Sequence, residues 1–272
     1  MTKPPQMTDP NALVRRQSRA TAQGLFLHDA AADEIEDRLA VVNKSFTDTA
    51  LITRFADPWQ NRFAARDVLP PDETLALTAQ GNDLIIHAMS LHWANDPVGQ
   101  LIQCRRALRA DGLLLSVSLG GQTLTELRAC LGQAETSVTG GLSPRVAPMA
   151  DLRDQGALLQ RAGFALPVAD AMPLTVEYRD AWHLMRDLRA MGEANALAAR
   201  LRRPTRRAVF EAAADLYQTH FGNGAGRITA TFELVFLTGW APDESQPQPL
   251  RPGSAKHRLA EALGTNETKL HD

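Results

Sequence analysis

Two uninterrupted apolar runs stand out along the chain, Leu84-Ile85-Ile86-His87-Ala88-Met89 and residues 113–119. Between them the spacing predicts an amphipathic helix over about 97–108, broken at Ala110-Asp111-Gly112. Strands that are apolar throughout, rather than at every second position, belong in a parallel sheet buried on both faces. The two runs and their helix therefore predict a right-handed βαβ unit and an α/β protein. Ligands of such sheets lie outside the carboxyl ends of the strands, which directs attention to residues 90–96 and 120–123.

Elsewhere the pattern is more varied. Residues 1–10 hold three prolines and little apolar content, so a disordered N-terminus through residue 12 is expected. Residues 13–39 read as helical and 49–53 as a short strand, while Pro70-Pro71 enforces extended or turn structure. Thr123 with Glu126 has capping-box spacing for a helix to about 136, and a helix over about 150–162 should stop at Gly163. Strands are expected over 164–168 and 174–178, helices over 181–191 and 205–221, and an antiparallel strand in ITATFELVFLTGW. One domain over 13–241 follows, with a helical extension at 13–45, an inserted helical cap at about 178–221 and a polar tail at 242–272. That tail holds a candidate short helix at 257–263.

Composition narrows the function classes. The 272 residues carry a net charge of −2, with 22% charged and 44% apolar residues, which is ordinary for a globular protein and unlike a general nucleic-acid binder. No apolar run reaches the ~18 residues of a membrane span, and the N-terminus lacks the apolar core of a signal peptide, so a cytoplasmic protein is expected. Cys104 and Cys130 fall in predicted helices and read as buried thiols. The seven histidines show no metal-ligand spacing, and no G-x-S-x-G elbow is present.

DLIIHAMSLHW followed by RRALRADGLLLSVSLGGQTLTELR resembles the fourth and fifth strands of class I S-adenosylmethionine-dependent methyltransferases. SLHWAND, GGLSPRVAP, LLQRAGFALPVAD, RDLRAMGEANAL and ATFELVFLTGW are similar to one branch of that superfamily. The branch comprises the mitochondrial complex I assembly factor 5 proteins and their alphaproteobacterial relatives, with the malonyl-carrier-protein methyltransferases more distant. The resemblance implies a Rossmann-like, mostly parallel seven-stranded sheet with a C-terminal antiparallel strand, and the short stretch between Arg38 and Ser90 leads to an expected truncation near strands 1–2. The resemblance implies S-adenosylmethionine as cofactor, with Asp72, Glu73, Ser90 and Leu91 on the cofactor side. It also implies a respiratory complex I subunit as partner, and methyl transfer or arginine hydroxylation as the reaction.

The chain departs from that pattern at one place. Active members end the first strand in a glycine-rich loop, because backbone must approach the ligand closely there. Here no glycine occurs between Gly24 and Gly81, and Arg54, Phe55 and Trp59 occupy the stretch after the strand. A non-catalytic assembly or scaffold protein that has lost the cofactor is the alternative.

His92 and Trp93 either gate a substrate mouth or pack the sheet edge. Arg145, Glu193 and Asn195 either line that mouth or tie loops by hydrogen bonds. Gly120-Gly121-Gln122-Thr123 is either an anion site or a tight turn before a capped helix, and Asp96 before Pro97 reads as a helix N-cap.

Overall fold

The computed structural model describes residues 6–247, 264 and 265. The chain divides into two units, 1–242 and 243–272. In the first, α1 (Pro10–Gln17) and α2 (Phe26–Ala40) precede β1 (Thr49–Ile52), α3 (Asp57–Phe63) and β2 (Asp67–Leu69). β3 (Asn82–Ala88), α4 (Pro97–Ala107) and β4 (Leu108–Leu119) form the expected βαβ unit, and α5 (Thr125–Thr139) and α6 (Leu152–Ala162) follow. β5 (Ala165–Tyr178), α7 (Ala181–Ala190), α8 (Arg207–Phe221) and β6 (Ile228–Trp240) complete the unit. In the second unit only a local turn is described, in which Asp243 Oδ1 accepts from Ser245 N at 2.8 Å. The short helix expected over 257–263 lies outside the described residues.

The strand order is β2-β1-β3-β4-β6-β5, and the first four strands are mutually parallel. β6 runs antiparallel to both β4 and β5. The sheet has six strands among the described residues, one fewer than the seven implied. Residues 53–81 hold α3, three-residue β2 and the Pro70-Pro71 break, which leaves no length for another strand. β3 and β4 are buried on both faces, with successive residues feeding two separate cores. Leu84, Ile86, Leu113 and Leu115 pack under α2, α5, α7 and α8, whereas Ile85 and Leu114 pack under α4 and α6. This three-layer stack buries an apolar face on each side of the sheet.

Several local expectations change. Residues 6–12 are ordered: Asn95 hydrogen-bonds both the N–H and the C=O of Thr8, at 2.9 and 3.1 Å, and Thr8 bridges Leu197. Asp9 caps α1 by accepting from Ala12 N. Polar loops elsewhere in the chain thus supply the partners that the segment's own composition lacks. The helical stretch 13–39 is interrupted at 18–25. There Gly24 lies so close to the end of α7 that an added Cβ would stand 2.3 Å from Ala190 O. The two strands expected over 164–178 are one, because β6 pairs with the intervening Ala169-Asp170-Ala171. Thr123 and Glu126 form no capping box. Thr123 Oγ1 instead accepts from Glu233 N at 3.1 Å, and Glu126 bonds Thr231. Asp96 does cap α4, accepting from Gly99 N at 2.8 Å, and Gly163 ends α6 at φ 80°.

The Gly24 contact fastens the N-terminal extension to the cap. Gly24→Ala is expected to lower the unfolding free energy by about 1–3 kcal/mol through overpacking against backbone. Urea denaturation measures it, and an unchanged midpoint would contradict so close an approach.

Candidate functional site

The cap's central feature is the Met191-Gly192-Glu193-Ala194-Asn195 turn after α7. Met191 is the αR cap of α7, and Gly192 takes φ +82°, where a side chain would be strained. This turn drives the Glu193 carboxylate into the carboxyl-edge loop after β3, where residues 91–93 form a single 3-10 turn. Glu193 Oε2 accepts from Trp93 Nε1 at 2.8 Å and lies 3.3 Å from His92 Nε2. The His92 and Glu193 side chains are 2% and 7% exposed. Burial pushes the Glu193 carboxyl up, but the charge and hydrogen bond of His92 and the Trp93 N–H outweigh it, so the group stands below the usual carboxylate range.

Two cavities flank this cluster. One, of about 310 Å³, lies beneath the cap and is walled by Leu127, Leu131, Met185, Phe210 and Phe232, with Trp93 and Glu193 at one side. The other, of about 260 Å³, has His92, Leu91 and Asn95 in its wall. Leu119, at the carboxyl end of β4, borders both. Arg145 and Asn195 also line the cap cavity, with their polar atoms engaged. Arg145 makes a two-pronged contact with Glu135 at 2.9 and 2.6 Å and donates to Thr205 Oγ1. Asn195 Nδ2 donates to Pro144 O at 2.9 Å. Of the expected mouth residues, Trp93, Arg145, Glu193 and Asn195 line the cap cavity, whereas His92 lines the second cavity and meets the others through Glu193.

The residues expected on the cofactor side lie in two segments, 72–73 and 90–91. Asp72 faces Arg54, with Nη2 to Oδ1 at 3.3 Å, and Glu73 is exposed. Ser90 is buried beside His87, Oγ to Nδ1 3.4 Å, and Leu91 is buried within the second core. Gln100 from α4 donates to Asp72 O at 3.0 Å and contacts His87 Nε2 at 2.9 Å, tying the 70–73 segment to β3.

The segment after β1 decides how the cofactor question reads. Phe55 stands edge-on to His28 at 5.2 Å, and His28 Nδ1 accepts from the fully buried Trp59 Nε1 at 3.0 Å. Phe55 also reaches the cap turn, where a Cβ on Gly192 would be 3.2 Å from Phe55 Cζ. Arg54 and Phe55 directly follow β1, in the stretch where the resemblance implies a glycine-rich loop. Among the described residues no His, Cys, Asp or Glu group could hold a metal ion. Cys104 is a buried thiol pushed up to about 12 by desolvation, in keeping with a packing role.

Sequence reasoning missed two cavity residues, Arg16 and Arg189. The available signal was the helical spacing of Arg15, Arg16 and Arg19, which puts them on one side of the N-terminal segment.

Comparison with known proteins follows the strand order. No protein-family model matches the chain. Malonyl-[acyl-carrier protein] O-methyltransferase of Laribacter hongkongensis is 37% identical over 173 residues, 62% of this chain and 54% of that one. A solved Bacillus halodurans structure described as a methyltransferase aligns over 77% of this chain and 98% of its own, with TM-score 0.49 and 14% identity. The chain belongs to the class I S-adenosylmethionine-dependent methyltransferase fold family.

Within that family it is similar to the mitochondrial arginine-hydroxylase NDUFAF5. The Dictyostelium discoideum protein is 40% identical over 196 residues, covering 72% of this chain and 45% of that one. The Homo sapiens protein is 38% identical over 191 residues, 69% and 54%. The chain thus spans roughly half the length of these curated relatives. Among the described residues, no helix is long and apolar enough to cross a membrane.

Burial lowers both His28 and His87 from 6.5 to about 4. A histidine held neutral in the fold lets the unfolded chain bind the extra proton as pH drops below 6.5, so stability falls from there to about pH 4. On the order of 3 kcal/mol per histidine is at stake. Urea unfolding at pH 7 and pH 5 should show a clearly lower midpoint at the acid value. Equal midpoints would contradict buried neutral rings.

Proposed function

We propose that this protein is a cofactor-free member of its fold family that acts as a non-catalytic binding or scaffold protein in the assembly of respiratory complex I. The observation carrying the reading is Phe55, which packs against His28 and the cap turn at the carboxyl end of β1. The Arg54–Asp72 pair supports it, since that carboxylate already has a cationic partner within the chain. Assembly as the setting rests on the similarity to the NDUFAF5 relatives, and fold alone would not supply it. A protein partner follows from the same similarity, and nucleic acid is disfavoured by the net charge of −2.

A cofactor-requiring modifier of protein arginine is the competing reading. The name of the relatives favours it, and the buried Glu193 carboxylate beside the cap cavity suits a cationic substrate group. Glu193 is already bonded to Trp93 and His92, however, and the post-β1 packing opposes a bound adenosyl group.

Calorimetry and thermal shift with S-adenosylmethionine and S-adenosylhomocysteine separate the two. No heat and no shift at millimolar ligand are expected. A ligand at a hundred times its dissociation constant would instead stabilise the fold by about 2.7 kcal/mol, and that result would overturn the proposal. Co-purification with complex I assembly partners is expected to survive Asp72→Ala, since the pair it breaks is an exposed one.

A further inference from the structure

The apolar cap cavity does not end at the cap. Arg16 of α1 lines it, and the same side chain lines a neighbouring pocket of about 150 Å³ whose other walls are Ala12, Arg15, Arg19 and Arg200. Arg189 of α7 borders the cap cavity near this junction. Five arginines thus gather where an apolar chamber meets a cationic one.

Their partners do not account for the gathering. Arg200 is neutralised by Asp9 at 2.9 Å, but among the described residues Arg15, Arg16, Arg19 and Arg189 have no ion pair. Arg15 Nε donates only to Asn11 O, within its own helix. Like charges brought together destabilise a fold; Arg15, Arg19 and Arg189 are exposed here and Arg16 is half-buried between them. Partial burial, and then Arg19, Arg200, Arg15 and Arg189, hold the Arg16 guanidinium below its ordinary value, as expected for a cation lacking a counter-charge. The polar groups deeper in the chamber are spoken for: Glu193 by Trp93 and His92, Arg145 by Glu135, Asn195 by Pro144. What remains for a ligand is an apolar body site with a cationic mouth, at the small end of the range for ligand cavities.

We propose that the cap cavity and the arginine pocket together bind an anionic amphiphile, with its alkyl chain among Leu127, Leu131, Met185 and Phe232 and its phosphate or carboxylate head held by Arg16, Arg19 and Arg189. Guanidinium forks suit such heads because they bond two oxygens at once. The inference goes beyond the proposed assembly role and does not depend on it. A cofactor response in calorimetry would sink that role and leave this site untouched.

The test uses the full chain and four probes below their micelle concentrations: dodecyl phosphate, laurate, inorganic phosphate and dodecyltrimethylammonium. Binding is read by calorimetry and by tryptophan fluorescence, since Trp93 lines the cavity. Dodecyl phosphate or laurate should bind and quench, and whichever is tighter identifies the head group. Inorganic phosphate should bind at least about a hundredfold more weakly and the cationic amphiphile not at all. Arg16→Gln combined with Arg19→Gln should weaken the anionic amphiphile about tenfold or more, and Ala147→Phe, which fills the chamber, should abolish quenching. The proposal is overturned if neither anionic amphiphile binds, or if the cationic one binds equally. Inorganic phosphate matching the amphiphiles, or unchanged affinity in the arginine variant, overturns it too. The four-probe series on the native protein decides even if a variant fails to fold.

Discussion

Burying a carboxylate is costly unless donors meet it, and here the donors come from the opposite side of a cleft. Glu193 sits on the cap, while Trp93 and His92 sit on the loop that leaves β3, so the hydrogen bonds that make the carboxylate tolerable also hold the cap onto the carboxyl edge of the sheet. The neighbouring Gly192 extends the clasp, since its lack of a side chain admits Phe55 from the loop after β1. Two adjacent residues therefore fix the cap against two strand ends. Glu193 and Trp93 also stand in the wall of the cap cavity, so the contact shapes one side of it.

The same clasp draws the loop after β1 against the cap. Under the proposed reading, Phe55 fills with packing a space that a glycine loop would leave for a ligand. Phe55, His28 and Trp59 form a small aromatic group, with one hydrogen bond and edge-on rings, that stabilises the β1 end from within. Arg54 and Asp72 bridge the neighbouring strand ends above it. The cap cavity is walled mainly by other elements, α5, α7, α8 and β6, and does not depend on the loop after β1.

The sheet's centre was legible in the sequence because β3 and β4 are buried on both faces, which writes itself as unbroken apolar runs. β5 was not, because it is an edge strand whose Ala169-Asp170-Ala171 carries no apolar alternation and is held by the β6 ladder. The capping box between Thr123 and Glu126 failed for a related reason, since both side chains are drawn to β6 backbone and Thr231. Order at residues 6–12 depends on Asn95 and Leu197, far away in sequence. Of the candidate site, His92, Trp93, Arg145, Glu193 and Asn195 were individually visible through motif similarity. Their meeting was not, since Trp93 and Glu193 stand a hundred residues apart and no local spacing encodes the bond. The absence of glycine between Gly24 and Gly81 was legible in the sequence, whereas the packing of Phe55 on His28 and Gly192 required the coordinates.

The central claim is that protein side chains occupy the place of an adenosyl ligand at the end of β1. Saturation-transfer NMR tests it most directly, with S-adenosylhomocysteine in excess over the protein and the adenine protons as reporters. No transfer above the level of an unrelated nucleoside follows from Phe55 packed on His28 and Gly192. Strong transfer to the adenine ring, competed away by S-adenosylmethionine, would contradict it.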